Sequence, residues 1–241
     1  MMNAWSSLEG KHVVICGGTS GIGQAVAQQA LAAGARVTVL GRSAVSEGDT
    51  HGTHGIRMDM GKAEEIQHAA AQLAGMAPVH HLVITSGARI PSATLDNLKE
   101  EDILLGFQVK LFGSLSLIRA LLPVLDESAS VTLTSGLLSR KFVAGGLLKS
   151  AINAATEASG KVLAKELAPR RVNVISPGVF DTGLWGAAGS DSRNAAMQKT
   201  GSALPVGRSG QPQEAAVLYL HVMTNRFITG SVLDIDGGGL L

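Results

Sequence analysis

The chain has 241 residues, with 20 Lys+Arg against 19 Asp+Glu, 30 Gly, 45% hydrophobic residues and a single Cys. A near-neutral charge with no basic run excludes the clustered cations that a nucleic-acid partner needs, and one Cys excludes an internal disulfide or a multi-thiolate zinc site. No Pro- or Ser-rich linker divides the sequence, so one domain over 1–241 is expected. Met1 to Gly10 lacks the pattern of a secretory leader and no run approaches about 18 uncharged apolar residues, so no membrane partner is expected and the cytoplasm is the default location.

Lys11 to Cys16 is a β-branched run that opens into Gly17-Gly18-Thr19-Ser20-Gly21-Ile22-Gly23, followed by an Ala/Gln-rich helical stretch to Ala33 that Gly34 stops. Arg36 to Leu40 reads as the second strand. Ser43 to Gly55 is polar and holds three Gly, which predicts a loop or one turn where a helix would be usual. Ile56–Met58, His81–Thr85, Val131–Thr134, Val172–Ile175 and Val232–Ile235 supply further strands, with helical patterns around Ile103–Leu122, Ser150–Leu167 and Gln213–Val222. The alternation predicts an α/β fold: a single-domain, doubly wound (Rossmann) parallel sheet of seven strands with helices on both faces. Asp181 to Ser209, rich in Gly, Ala and Ser, reads as a long loop and a candidate substrate lid.

A strand leading into Gly17, Gly21 and Gly23 and then a helix can bring backbone N–H groups onto a pyrophosphate. On its own the pattern fits a ligand-free glycine turn equally well. The second strand ends Leu40-Gly41-Arg42-Ser43 with no acid before Glu47. A guanidinium and a hydroxyl there suit a ribose 2′-phosphate, although a solvated surface arginine is the plainer alternative. His51 with His54 and His80 with His81 lack a carboxylate or Cys framework for a metal.

The segment CGGTSGIG resembles the cofactor loop of the short-chain dehydrogenase/reductase family, with Cys16 at the Thr of Thr-Gly-x-x-x-Gly-x-Gly. The resemblance runs through nearly the whole chain. Asp59 matches the family's adenine-contacting Asp. Gly87 ends the turn that is Asn-Asn-Ala-Gly in the family, with Ile84, Thr85 and Ser86 in the other places. Asn173 and Pro177-Gly178 match Arg-Val-Asn-x-x-x-Pro-Gly, and Thr182 stands where the family binds the nicotinamide carboxamide. Ile228-Thr229-Gly230 and Asp236-Gly237-Gly238 also match. The resemblance implies an NADP(H) site built from Gly17, Thr19, Ser20, Gly21, Ile22, Gly23, Arg42, Ser43, Asp59, Met60, Ser86, Gly87, Pro177, Gly178, Val179 and Thr182. It also implies a small-molecule substrate and a homodimer or homotetramer on the helices that carry Lys110 and Lys149. Leu111, Leu115, Ile118 and Leu122 on one helix and Ala151, Ala154, Ala155 and Ala158 on the other agree with that, as they would with core burial.

The catalytic pattern departs from the family. Ser135 matches its Ser, but Lys149 stands at the Tyr and Asn153 at the Lys of Tyr-x-x-x-Lys, while Lys110 replaces the Asn of the preceding helix. The last two changes are reciprocal, so one ammonium and one amide are kept. The only Tyr in the chain, Tyr219, reads as packing in the last helix. Two functions remain open on the sequence: an NADP(H)-dependent oxidoreductase of a carbonyl or alcohol, with Ser135, Lys149, Asn153 and Lys110 as its catalytic group, and a non-catalytic NADP(H)-binding sensor or scaffold.

Overall fold

In β1 (His12–Cys16) the side chains alternate, Val14 and Cys16 joining one core and Val13 and Ile15 another. A strand covered on both faces requires this two-sided burial. The structure, a computed structural model, describes residues 7–45 and 52–241. Around β1 the sheet is completed by β2 (Arg36–Gly41), β3 (His54–Arg57), β4 (Val79–Ile84), β5 (Leu125–Thr134), β6 (Arg171–Pro177) and β7 (Val232–Ile235). All pairings are parallel in the order β3-β2-β1-β4-β5-β6-β7. The order reverses between β1 and β4, where Cys16 lies beside Ile84. That reversal opens a crevice at the carboxyl ends of the strands, the usual place for a ligand in such sheets.

On one face α2 (Ala63–Ala74), α4 (Gly113–Leu121) and α5 (Leu147–Glu166) bury Leu73, Leu117 and Leu121 and pack Leu163 beside them. On the other, α1 (Gly21–Ala32) and α7 (Pro212–Thr224) bury Val26, Ala30 and Tyr219. The predicted fold class is the observed one. The sequence pattern did not single out α2, whose apolar stripe Ile66, Ala69, Ala70 and Leu73 is short and mostly alanine. Strand β5 also begins earlier than its apolar run, through Asp126, Glu127 and Ser128.

Two other expectations are corrected. The helix expected over Ile103–Leu122 is not uniform: α3 (Glu100–Phe107) passes through a π-turn at Gln108–Phe112 into α4. A Cβ on Gly113 would come 2.4 Å from the Met60 carbonyl oxygen, so only glycine lets α4 lie that close to the end of β3. The run Glu100–Leu121 could cross a membrane by length and hydropathy alone, but its Leu117, Ile118 and Leu121 face the core. The second correction concerns Asp181–Ser209. It holds a 3₁₀ turn at Gly183–Trp185 and the helix α6 (Asp191–Gly201), capped by Ser190, whose Oγ accepts from Arg193 N at 3.4 Å. Only Gly201 is buried in α6, so no apolar stripe announced it.

The two ends of that segment are fastened together. Phe180 and Gly210 form a parallel bridge, Asp181 N donates to Gly210 O at 2.8 Å, and Gly210 N donates to Val179 O at 2.9 Å. Beyond β2, Arg42–Val45 form a turn without a helix, and the remainder of the polar connection, residues 46–51 with Glu47 and His51, lies outside the described residues.

Candidate active site

The glycine loop is shaped by close approach. Gly17 has φ +89°, and a Cβ there would meet Ser86 N at 2.8 Å. A Cβ on Gly23 would lie 2.2 Å from Gly17 O, so its absence lets α1 start directly against the loop. The N–H groups of Gly21, Ile22 and Gly23 have no hydrogen-bond partner among the described residues, because the first bond of α1 runs from Gln24 N to Ser20 O and Ser20 makes no side-chain cap. Three free donors at a helix N-terminus fit the phosphates of a dinucleotide.

The other expected cofactor residues surround this loop. Thr182 Cβ lies 3.4 Å from where a Gly21 Cβ would be, so Thr182 faces the loop directly. Thr19 packs against Gly41, and Arg42 and Ser43 follow, exposed, at the end of β2. Asp59 is held at the end of β3 by Gly61 N, which donates to its Oδ1 at 2.8 Å. Ser86 Oγ lies 3.1 Å from Cys16 Sγ, and burial pushes the Cys16 thiol up to about 12, which keeps it neutral. Pro177, Gly178 and Val179 leave β6 tightly packed: Gly178 N donates to Ile235 O at 2.9 Å, and a Gly178 Cβ would meet Asp236 Cα at 2.7 Å. A cavity of about 250 Å³, lined by Gly21, Gln28, Thr182 and Arg193 among others, opens beside α1. A larger one of about 790 Å³ lies between α6 and the start of α7; it shares Asp181 with the first and touches none of Lys110, Lys149 and Asn153.

The expected catalytic residues form one polar cluster and one outlier. Lys110, in the π-turn, donates to Ser135 O at 2.9 Å and to Asn153 Oδ1 at 2.7 Å. The reciprocal Lys and Asn are thus in direct contact. Burial lowers Lys110 to about 8, and the Glu157 carboxylate opposes that fall. Ser135 is buried, and its hydroxyl donates to Glu157 Oε1 at 2.9 Å. The same oxygen accepts from Ser139 Oγ at 2.6 Å and lies 3.6 Å from Arg140, which also pairs with Asp234. The hydroxyl of the expected catalytic Ser135 is therefore turned onto a carboxylate. Lys149 stands apart: one turn before Asn153 on α5, it donates to Ser92 Oγ at 2.9 Å. Burial alone holds it below the usual ammonium range.

Sequence reasoning passed over Glu157, Gly136, Ser92 and Arg89. Glu157 carried a usable signal, since it lies four residues after Asn153 and so on the same helical face. Arg89 donates to Leu184 O at 2.7 Å and ties the turn after β4 to the segment expected as a lid. Arg193 donates to Asp181 Oδ1 at 2.6 Å and anchors α6 to the same segment's first residue. Tyr219 is fully buried and its hydroxyl lies 2.7 Å from Thr134 Oγ1, inside the second core.

A parallel sheet with a dinucleotide cradle at its reversal point defines a dinucleotide-binding α/β protein, and comparison with known proteins places it among oxidoreductases. The family model described as "Enoyl-(Acyl carrier protein) reductase" matches residues 17–239. The short-chain dehydrogenase/reductase ucsE of Acremonium sp is 33% identical, with 97% of each chain covered. The rhamnolipids biosynthesis 3-oxoacyl-[acyl-carrier-protein] reductase of Pseudomonas aeruginosa is 29% identical over 98% of this chain and 99% of its own. Among solved structures, a small-chain dehydrogenase in complex with NADPH superposes with a TM-score of 0.83 at 35% identity, covering 95% of this chain and 98% of that one. The MalC reductase/Diels-Alderase of Malbranchea aurantiaca gives 0.87 at 26%, with 99% of both covered. The chain belongs to the short-chain dehydrogenase/reductase family and is an oxidoreductase of that type.

Proposed function

We propose that the protein is an NADP(H)-dependent oxidoreductase that interconverts a small-molecule carbonyl compound and its alcohol. The observation that carries this reading is the conjunction of three free N–H donors on α1 with an exposed Arg42 that follows Gly41, against which Thr19 packs. The donors suit the pyrophosphate and the guanidinium suits a 2′-phosphate. Asp59 and Met60 lie at the adenine end, while Thr182, Pro177, Gly178 and Val179 border the nicotinamide end. Bound here, the reduced nicotinamide supplies a hydride.

The chain's own residues would then manage the proton. Lys149 is the proton donor: it replaces a Tyr of nearly equal intrinsic acidity, and partial burial brings it closer to the working range of an acid/base group. Lys110 and Asn153 keep one ammonium and one amide at the site. Asp181–Ser209 covers the cleft, strapped by Arg89 to the turn after β4. The exposed apolar faces of α3 to α5, with Leu104, Phe112, Leu115, Leu147 and Val162, support a homodimer or homotetramer, which sedimentation at micromolar concentration tests.

The deciding experiment incubates the pure protein with NADPH and a panel of ketones, aldehydes and quinones and follows loss of the reduced-nicotinamide absorbance. Turnover by wild type that is lost in Lys149→Met supports the reading. NADPH binding without turnover on any compound would instead favour a sensor or scaffold, and undiminished turnover in Lys149→Met would remove Lys149 from the chemistry.

A further inference from the structure

Arg193 stands in the first turn of α6, and its side chain is only 12% exposed on a helix whose one buried residue is Gly201. A cation at that end opposes the helix macrodipole, so the stability of α6 does not account for it. Its N–H groups are unevenly used. Nε donates to Asp181 Oδ1 at 2.6 Å and Nη1 to Gly186 O at 3.3 Å, whereas Nη2 has no hydrogen-bond partner among the described residues. An unmatched donor on a largely buried cation is costly, so an acceptor brought to it gains accordingly.

The cavity of about 250 Å³ beside α1 is lined by Arg193 together with Gly21, Gln24, Gln28 and Thr182. Gly21 carries the first of the three free N–H groups of the cofactor cradle, and Thr182 faces it. The charged residues of the lining are Arg193 and Asp181 alone, and they are paired with each other. Helix N–H groups without acceptors and a guanidinium with a spare Nη2 thus border one polar space, with room for roughly eight oxygens of the size of water. An occupant that satisfies both sides is an anion with several oxygens.

Accepting the oxidoreductase reading above and its dinucleotide site, we infer that Arg193 is a ligand of the cofactor's pyrophosphate, supplied by the segment that covers the cleft. Nη2 donates to a phosphate oxygen, while Nε and Nη1 keep the bonds they already make. Asp181 then has two opposed effects. Its Oδ1 orients the guanidinium, and its charge repels the anion that the guanidinium attracts. Arg42 answers to the 2′-phosphate, which NADH lacks; Arg193 answers to the diphosphate, which both dinucleotides carry. Because Arg193 belongs to α6 and the free N–H groups to α1, the bound cofactor fastens the roof of the cleft to its floor.

NADPH and NADH are titrated separately, by nicotinamide fluorescence, against wild type, Arg193→Gln, Arg193→Lys and Asp181→Asn. Arg193→Gln should weaken both dinucleotides on the order of tenfold, the effect of one charge-assisted hydrogen bond, and Arg193→Lys should recover part of the loss. Asp181→Asn keeps an oxygen for Nε and removes the opposing charge, so both dinucleotides should bind about two- to fivefold more tightly. A guanidinium that only staples α6 to Asp181 requires the reverse, with both variants weakening the dinucleotides alike. Hydrogen exchange adds a readout apart from affinity: at saturation NADPH should slow amide exchange over Asp191–Gly201 in wild type and less so in Arg193→Gln. Unchanged dinucleotide affinity in Arg193→Gln, a loss confined to NADPH, or an Asp181→Asn protein that binds neither dinucleotide more tightly than wild type would overturn the inference while leaving the oxidoreductase reading in place. If Arg193→Gln does not fold, Asp181→Asn alone decides. Wild type that binds neither dinucleotide would overturn both together.

Discussion

A family that ordinarily uses a Tyr for chemistry makes the sole Tyr of this chain worth a direct test. Thr134 Oγ1 donates to Ile84 O at 2.8 Å, so it accepts from the Tyr219 hydroxyl at 2.7 Å, and the pair stitches α7 to β5 and β4. Burial raises the Tyr219 pKa far above its ordinary value, which removes it from proton transfer at neutral pH. Tyr219→Phe keeps the ring and its packing and removes only the donor. A buried acceptor left unfilled costs about 1–3 kcal/mol, and because Thr134 keeps its own donated bond we expect about 1–2 kcal/mol. For a chain of this size each kcal/mol lowers Tm by about 2–4 °C, so thermal unfolding should shift down by roughly 2–8 °C. NADPH turnover at 25 °C should stay at the wild-type value. Loss of turnover in a variant that is as stable as wild type would refute the packing role and place Tyr219 in the chemistry.

Arg42→Ala should weaken NADPH by at least about tenfold, equal to about 1.4 kcal/mol, and leave NADH unchanged; titration of both cofactors against both proteins checks it, and equal wild-type affinities would contradict it. Above about pH 8 the Lys110 ammonium is lost, so kcat/KM should fall along an alkaline limb. Glu157→Gln removes the charge that favours the ammonium, and the limb should move to lower pH, read from pH–rate profiles of the two proteins. Burial lowers His81 to about 3 and His12 to about 4. The unfolded chain then binds more protons between those values and about 6.5, so stability is full above pH 6.5 and declines as pH falls toward 4 and 3. Urea unfolding from pH 7 to 4 should show that decline, and His81→Asn should flatten it.

The sheet was legible because its strands other than β3, which is His-Gly-Ile-Arg, carry apolar runs, and the glycine loop because close backbone contact admits nothing larger at Gly17 and Gly23. What the pattern could not disclose follows from side chains that meet across the sequence. That Ser135 bonds Glu157 rather than facing the cleft depends on the rotation of α5 relative to β5. The π-turn that carries Lys110 was equally hidden, because one added residue within a helix leaves composition and periodicity almost unchanged. The contact of Lys110 with Asn153 was suggested by their exchange relative to the family pattern. Helix α6 escaped because it packs by glycine and polar groups, not by an apolar stripe.

The bridge between Phe180 and Gly210 makes 181–209 a closed excursion whose two feet stand side by side. Within such an excursion, added length costs little, since closure entropy grows only slowly with loop length, and the register of β6 with β7 is set outside it. The segment beyond Thr182 is therefore an exchangeable cassette: a donor sequence of different length and polarity can be grafted between Thr182 and Gly210 without disturbing the sheet, provided that Thr182, which faces the glycine loop, a cation in the place of Arg193 and the glycine at the far foot stay. A Cβ at that foot would strike the Phe180 ring at 2.5 Å. Diversification of substrate scope in this scaffold can thus proceed by replacing a whole roof at once, while the cofactor floor below is inherited intact.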